Sequence, residues 1–365
     1  MDNTIQYLSA TLKLLLDNNN LDVKEYRKII ESLAILPKGK GNDFFGAISA
    51  LMAKSIVSKN TLQGVVEGLS TTGLKIKIKD PLNVIDIVAT GGELKYRTLY
   101  ITPIISIIVS CHFPVILQGN KAVTGCNCGA FAEADILQEI GSLLSIEPRD
   151  AQLLLNKYNF VFLYAQKYHK ILQKYANARS NLGFRDIFKV AACLADPAGV
   201  KRQFMGCYTP NLLQNIGEIM SELNLFHAIA VSSHDGIDEI SVADATDFVE
   251  VKEGKVERYT LYPEDFGIKR CRTENIKGTD ILHNEIQLIK QVLDGKRKDA
   301  VRDFVLVNSA AALYVTDIVK DFKSGMELAA FTIETGQAKQ KLLQIQSYKE
   351  YLTKNVKLMT NNKCL

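Results

Sequence analysis

A chain of 365 residues with 47% hydrophobic and 23% charged side chains can bury a sizeable core as one large domain or two ordinary ones, which excludes global disorder. A formal net charge of +4 is too small on this length to point to nucleic acid, so any affinity for phosphate has to be local. Seven cysteines, an odd and scattered set, predict reduced thiols rather than a disulfide frame. Met1-Asp2-Asn3-Thr4 opens no basic-then-apolar leader, and the longest apolar run is broken by Pro103, His112 and Pro114; the expectation is a cytoplasmic protein without a membrane span.

The first 76 residues read as all-helical. Ile5, Leu8, Leu12, Leu15 and Leu16 recur at helical spacing. Asn18-Asn19-Asn20 ends that helix, and Asp22 is placed to cap the next, which carries Tyr26, Ile29, Ile30 and Leu33. Pro37-Lys38-Gly39-Lys40-Gly41 reads as a turn. Phe44, Phe45, Ile48, Leu51 and Met52 form a third stripe, and Ser58 a candidate cap for a fourth helix with Leu62, Val65, Val66 and Leu69. Lys75, Lys77 and Lys79 alternate as on a solvated strand edge or a basic patch.

From Asn83 short apolar runs alternate with helical stretches, which predicts an α/β domain over 77–351, with 352–365 as a loose tail. Val84-Ile85-Asp86-Ile87-Val88 is rich in β-branched residues and suits a strand covered on both faces. Thr102-Pro103 reads as an N-cap with proline at the first helical position. Pro114-Val115-Ile116-Leu117 is a second strand; others are predicted at Val161–Tyr164, Gln203–Cys207 and His227–Val231. Tyr208-Thr209-Pro210 opens a helix, and Lys252-Glu253-Gly254-Lys255 joins a hairpin. The last hundred residues return to helices, with stripes at Ile286, Ile289, Val292, Leu293 and at Val301, Val305, Ala312, Leu313.

Both early strands end in small-residue turns, which predicts a ligand cleft at the carboxyl ends of a sheet. Ala89-Thr90-Gly91-Gly92-Glu93 offers backbone N–H groups that suit phosphate oxygens, although a glycine pair serves equally to turn a chain. Gly119-Asn120-Lys121, with Thr124-Gly125 after it, supplies an amide and a cation. Asp235-Gly236-Ile237-Asp238-Glu239 places carboxylates side by side on a loop, as Mg²⁺ shared with a phosphorylated substrate requires and as a solvated acidic turn also shows. Cys126 and Cys128 lack a second ligand pair at zinc-like spacing and read as small loop residues.

In this order the motifs resemble the anthranilate phosphoribosyltransferase family over nearly the whole chain. The family's Gly-Thr-Gly-Gly-Asp loop stands as Ala89-Thr90-Gly91-Gly92-Glu93, and Lys-His-Gly-Asn-Arg as Leu117-Gln118-Gly119-Asn120-Lys121. Tyr168-His169, Arg179, Leu182-Gly183-Phe184-Arg185-Asp186-Ile187-Phe188, Asp235 to Ser241, Tyr259 to Gly267 and Val307 to Tyr314 complete the match. The resemblance implies a small helical domain beside a larger α/β domain with a mixed, mostly parallel sheet flanked by helices, in a homodimer. It implies 5-phosphoribosyl 1-diphosphate as donor, Mg²⁺ as cofactor and an aromatic amine acceptor, anthranilate by default, in tryptophan biosynthesis. It further implies donor contacts from Thr90, Gly91, Gly92, Glu93, Thr102, Asn120 and Lys121, acceptor contacts from Asn120, His169 and Arg179, and metal ligation by Asp238 and Glu239.

The departures from the family cluster at the same places. A methyl at Ala89 is expected to obstruct a left-handed backbone or close ligand approach. Leu117 and Gln118 stand where the family has Lys and His, which predicts the loss of a cation beside the phosphates. The loop from Thr124 to Glu133 is longer than the family's serine-rich loop, and Ala191 to Pro197 replaces Leu-Gly-Pro-Leu-Thr-Asn-Pro. A competing reading is a lapsed enzyme that binds a ligand or nucleic acid, with Lys75 to Lys79, Lys201-Arg202 and Lys296-Arg297-Lys298 as its basic residues; a phosphorylase-type relative is a third.

Overall fold

The computed structural model describes residues 2–17, 21–54, 58–91, 97–122, 131–182 and 186–353. Four helices come first: α1 (Asp2–Leu16), α2 (Val23–Ile35), α3 (Lys38–Lys54) and α4 (Lys59–Thr72). The Asp22 carboxylate accepts the Glu25 N–H at 2.8 Å while Glu25 accepts the Asp22 N–H at 2.9 Å, so α2 starts on a capping box. Ser58 precedes α4 without a side-chain capping bond. The glycines of the 37–41 run belong to the first turn of α3 rather than to a connecting turn. Lys75, Lys77 and Lys79 lie on an extended connector outside the sheet, tied down by the Leu74 N–H on Tyr168 O and the Ile76 N–H on Pro197 O.

The chain then builds β1 (Ile85–Ala89), α5 (Thr102–Ser110), β2 (Val115–Gly119), α6 (Glu133–Glu139), α7 (Pro148–Tyr158) and β3 (Phe160–Tyr164). Four short helices follow: α8 (Ala165–Tyr168), α9 (Lys170–Lys174), α10 (Ala176–Leu182) and α11 (Ile187–Leu194). Next come β4 (Arg202–Gly206), α12 (Leu213–Glu222), β5 (His227–Ser233) and a hairpin, β6 (Thr246–Lys252) with β7 (Lys255–Leu261). Its turn places Glu253 at φ 49° and Gly254 at φ 81°, the paired left-handed conformation that a two-residue hairpin turn demands. The last helices are α13 (Leu282–Leu293), α14 (Ala300–Val315), α15 (Phe322–Glu334) and α16 (Gln337–Gln346).

The seven strands form one sheet in the order β3-β2-β1-β4-β5-β6-β7, parallel from β3 to β5 and antiparallel through β6 and β7. Side chains alternate cleanly across it. Ile85, Ile87, Phe204, Ile229 and Val231 pack on the side of α5 and α14; Val88, Met205, Ala228 and Ala230 pack on the side of the amino-terminal helices, α11 and α12. The parallel strands β1 to β5, buried on both faces, leave their ends as the accessible chemistry. Successive strands leave β1 toward β2 and β3, whereas β4 lies on its other side. The switch point, where ligands bind outside the carboxyl ends of such sheets, is therefore between β1 and β4.

Candidate active site

Four strand ends converge there. Thr90 and Gly91 leave β1, Asn120 leaves β2, Cys207 and Tyr208 leave β4, and the loop carrying Asp238 and Glu239 leaves β5. Ala89 pairs with Gly206 as the last extended residue of β1, and the Thr90 N–H continues the ladder onto Gly206 O at 3.0 Å. The left-handed backbone begins at Gly91, with φ +64°. The methyl of Ala89 therefore sits where any residue is tolerated, and the expected backbone conflict does not arise.

Asp238 occupies this turn from the other side. Its Oδ2 accepts the Gly91 N–H at 2.5 Å and lies 3.2 Å from the Thr90 hydroxyl, which in turn accepts the Tyr208 N–H at 3.0 Å. Gly206 permits the approach, because a Cβ there would stand 1.8 Å from Asp238 O. Asp238 and its neighbour Glu239 are both buried. Burial raises the Asp238 pKa, and the Gly91 N–H and the charge of Lys189 oppose the rise.

Thr102 is the first residue of α5, one position inside the expected N-cap; Ile101 takes the cap position without a side-chain bond. Buried and helical, the Thr102 hydroxyl faces the Glu133 carboxyl instead and lowers its pKa. The Glu133 carboxylate fits against Gly119, where a Cβ would come within 2.9 Å of its Oε2. Burial pushes the Glu133 carboxyl up to about 8, reinforced by the charge of Asp238 and opposed by the Thr102 hydroxyl and Lys189. Asn120 turns its Oδ1 back to the Lys121 N–H at 3.0 Å, and Lys121, partly exposed, reaches Asp135 at 3.7 Å.

Leu117 is fully buried in the core. Gln118 takes another role: its Nε2 donates to Asp86 Oδ2 at 2.7 Å, and Gln203 Nε2 from β4 donates to the same oxygen at 2.7 Å. The two amides hold a carboxyl inside the sheet, directly below the Thr90 turn; burial and the nearby Asp196 raise its pKa.

Arg179 and Asp186 form a two-pronged ion pair, Nε to Oδ2 at 2.6 Å and Nη2 to Oδ1 at 2.9 Å, with both side chains under a tenth exposed. Asp186 also accepts the Lys189 N–H and so caps α11. His169 is buried between α8 and α9, and neither ring nitrogen makes a hydrogen bond. Burial, aided by Lys75, pushes its pKa down to about 4; the Leu69 carbonyl opposes this without hydrogen-bond geometry.

Thus Thr90, Gly91, Asp238 and Thr102 come together around Glu133 and Lys189, two residues the sequence motifs did not single out. The available signal for Lys189 was one cation in the otherwise uncharged run Ile187–Leu194; Glu133 carried none. Gly92, Glu93, Thr124, Gly125, Cys126, Cys128, Gly183, Phe184 and Arg185 lie outside the described residues. Among the described residues no group of three or more His, Cys, Asp or Glu side chains encloses a metal, and no helix is long and apolar enough to cross a membrane. Two adjacent buried carboxylates are a hard oxygen pair that fits Mg²⁺ completed by substrate phosphates and water.

The pattern of the glycosyl transferase family, a/b domain, matches residues 82–339. The chain is 32% identical over 346 residues to the anthranilate phosphoribosyltransferase of Thermoanaerobacter sp. (strain X514), covering 94% of this chain and 99% of that one. It is likewise 32% identical over 346 residues to that of Methanobrevibacter smithii, with 94% and 98% covered. Among solved structures, the anthranilate phosphoribosyltransferase of Thermus thermophilus superposes with a TM-score of 0.81 at 21% identity, covering 92% of this chain and 98% of that one. The Saccharomyces cerevisiae protein in complex with PRPP and Mg superposes with a TM-score of 0.82 at 18% identity, with 93% and 97% covered.

Proposed function

The chain belongs to the anthranilate phosphoribosyltransferase family, and from that premise we propose that it transfers a phosphoribosyl group from 5-phosphoribosyl 1-diphosphate to anthranilate, in tryptophan biosynthesis. The observation that carries the reading is the meeting of the Gly91 amide, the Thr90 hydroxyl and the Asp238 carboxylate at the switch point of the sheet.

The donor contacts in this proposal are Thr90, Gly91, Gly92, Glu93, Thr102, Asn120 and Lys121, and the acceptor contacts are Asn120, His169 and Arg179. Asp238 and Glu239 would hold Mg²⁺, which when bound neutralises charge on the diphosphate. The Gly91 N–H and the Thr90 hydroxyl are donors fixed by the β1 turn; with the Asp238 carboxylate engaged elsewhere they meet the phosphate oxygens, where negative charge builds as diphosphate leaves. The sugar carbon becomes cation-like, so the main demand on the protein is to hold the amine in line with it. Neutral, buried His169 presents an uncharged face to an aromatic acceptor. Arg179 attracts the acceptor's carboxylate only through what its pairing with Asp186 leaves over.

The division at residue 76 and the homodimer belong to the same proposal; the exposed Leu14, Leu16 and Ile35 of the amino-terminal helices support a covered surface there. The test is loss of anthranilate fluorescence on mixing protein, donor and Mg²⁺. Turnover dependent on all three is expected. Donor binding without anthranilate turnover would assign a different acceptor, and absence of both would remove the transferase reading.

A further inference from the structure

Helix α11 (Ile187–Leu194) buries Ile187, Phe188, Val190, Ala191, Cys193 and Leu194. Lys189 is its one charged side chain and lies on the narrow face the core leaves over. Asp186, by capping the helix, fixes the turn that bears it. The ammonium reaches the β1 turn: a Cβ placed on Gly91 would stand 4.0 Å from Lys189 Nζ. The positive φ of Gly91 keeps a side chain off that position, and among the described residues Lys189 Nζ is the atom that faces it. Two carboxylates feel this charge, Asp238 from the β5 loop and Glu133 from α6.

We propose that Lys189 is a donor-binding residue, the cation that meets the diphosphate at the Gly91 turn. This rests on the transferase reading. The chemistry follows from what each group can do. Gly91 N–H and the Thr90 hydroxyl are neutral donors, and Asp238 repels phosphate, joined by Glu133 once its carboxyl ionises near pH 8; a highly charged diphosphate calls for a positive group at this turn besides any metal. Leu117 supplies none, since it is sealed in the core. Lys189 alternates between partners. Without donor it balances Asp238, and Glu133 when that carboxyl is ionised. With Asp238 committed to a metal, its ammonium turns to the phosphate oxygens over the face of Gly91. Its long stem lets it move with little backbone change.

The experiment is calorimetric titration of inorganic diphosphate, with excess Mg²⁺, into wild type, Lys189→Met and Lys189→Arg, with steady-state kinetics of the transfer reaction alongside. Lys189→Met is expected to weaken diphosphate binding about tenfold or more and to raise the donor KM by a similar factor, with a smaller change in the anthranilate KM. Lys189→Arg is expected to recover most of the affinity. Glu133→Gln, which removes a carboxylate that competes above about pH 8, is expected to tighten diphosphate binding in that range and to leave it unchanged at pH 7. Wild-type affinity in Lys189→Met would overturn the assignment, as would equal loss in the Met and Arg variants with a lowered Tm, which marks a packing role. If wild type itself binds neither diphosphate nor donor, the transferase reading fails and this inference with it. If wild type binds and Lys189→Met binds equally, only the role of Lys189 falls.

Discussion

The Gly91 amide donates to Asp238 Oδ2 at 2.5 Å, so the donor group best placed for a phosphate oxygen is held by a carboxylate of the same chain. An aspartate seated in an anion-binding turn stands in for the anion and must give way when one arrives. Its release is coupled to whatever else that carboxylate binds. Asp238→Asn combined with Glu239→Gln is accordingly expected to abolish Mg²⁺-dependent donor binding while leaving the circular dichroism spectrum unchanged. Donor affinity equal to wild type at saturating Mg²⁺ would show that these carboxylates hold no metal.

Gly206 sets the position of the Asp238 loop, since a Cβ there would overlap Asp238 O at 1.8 Å and lie 3.1 Å from the Ala89 methyl. Gly206→Ala should cost about 1–3 kcal/mol through overpacking. It should also raise the donor Kd, because the loop has to retreat from Gly91. Thermal unfolding and donor titration of the same variant check both effects; unchanged values for both would mean the loop has slack that the structure does not show.

The two-pronged pair of Arg179 and Asp186 is buried, and removing one partner leaves an uncompensated charge. Arg179→Ala is expected to destabilise the fold by about 3–5 kcal/mol. Asp186→Thr removes this competing carboxylate from the guanidinium, so anthranilate should raise the Tm of this variant more than that of wild type. Its KM for anthranilate should fall relative to an aromatic amine lacking a carboxylate. An equal response to both amines would show that Arg179 does not meet the acceptor.

His169 carries a pH prediction. Its folded pKa is lowered from 6.5 to about 4, chiefly by burial. Between those values the unfolded chain takes up a proton that the folded chain refuses, so the unfolded state is favoured as pH falls. The contribution is fully present above about pH 6.5 and is lost by about pH 4, on the order of 3 kcal/mol in all. In urea titrations across this window, His169→Gln should show a flatter dependence of stability on pH than wild type. Parallel curves would place the ring in a more solvated setting.

Much of this arrangement was legible in the chain. A β-branched run ending in Thr90-Gly91 can hardly be other than a buried strand feeding a turn, and β1 with its left-handed Gly91 follows. The hairpin at Glu253-Gly254 was equally local. What escaped was long-range. Gln118 read as a lost cation, yet the two-residue period of β2 aims it at Asp86 across the sheet, a pairing fixed only by strand order. Asp186 was visible as an acid, but its hold on Arg179 depends on how α10 meets α11. Thr102 missed its place by one residue, as helix ends commonly do, and that shift sent its hydroxyl to Glu133 rather than to the backbone. Glu133 and Lys189 meet through tertiary packing alone, so no local pattern marked either as part of the site.

The central claim is that the Gly91 turn, Asp238 and Glu239 form a diphosphate site. Calorimetric titration of 5-phosphoribosyl 1-diphosphate, with and without Mg²⁺, tests it most directly. Saturable binding that requires Mg²⁺ and disappears in the Asp238→Asn, Glu239→Gln variant is the predicted result. No heat of binding at millimolar donor with excess Mg²⁺ would contradict it.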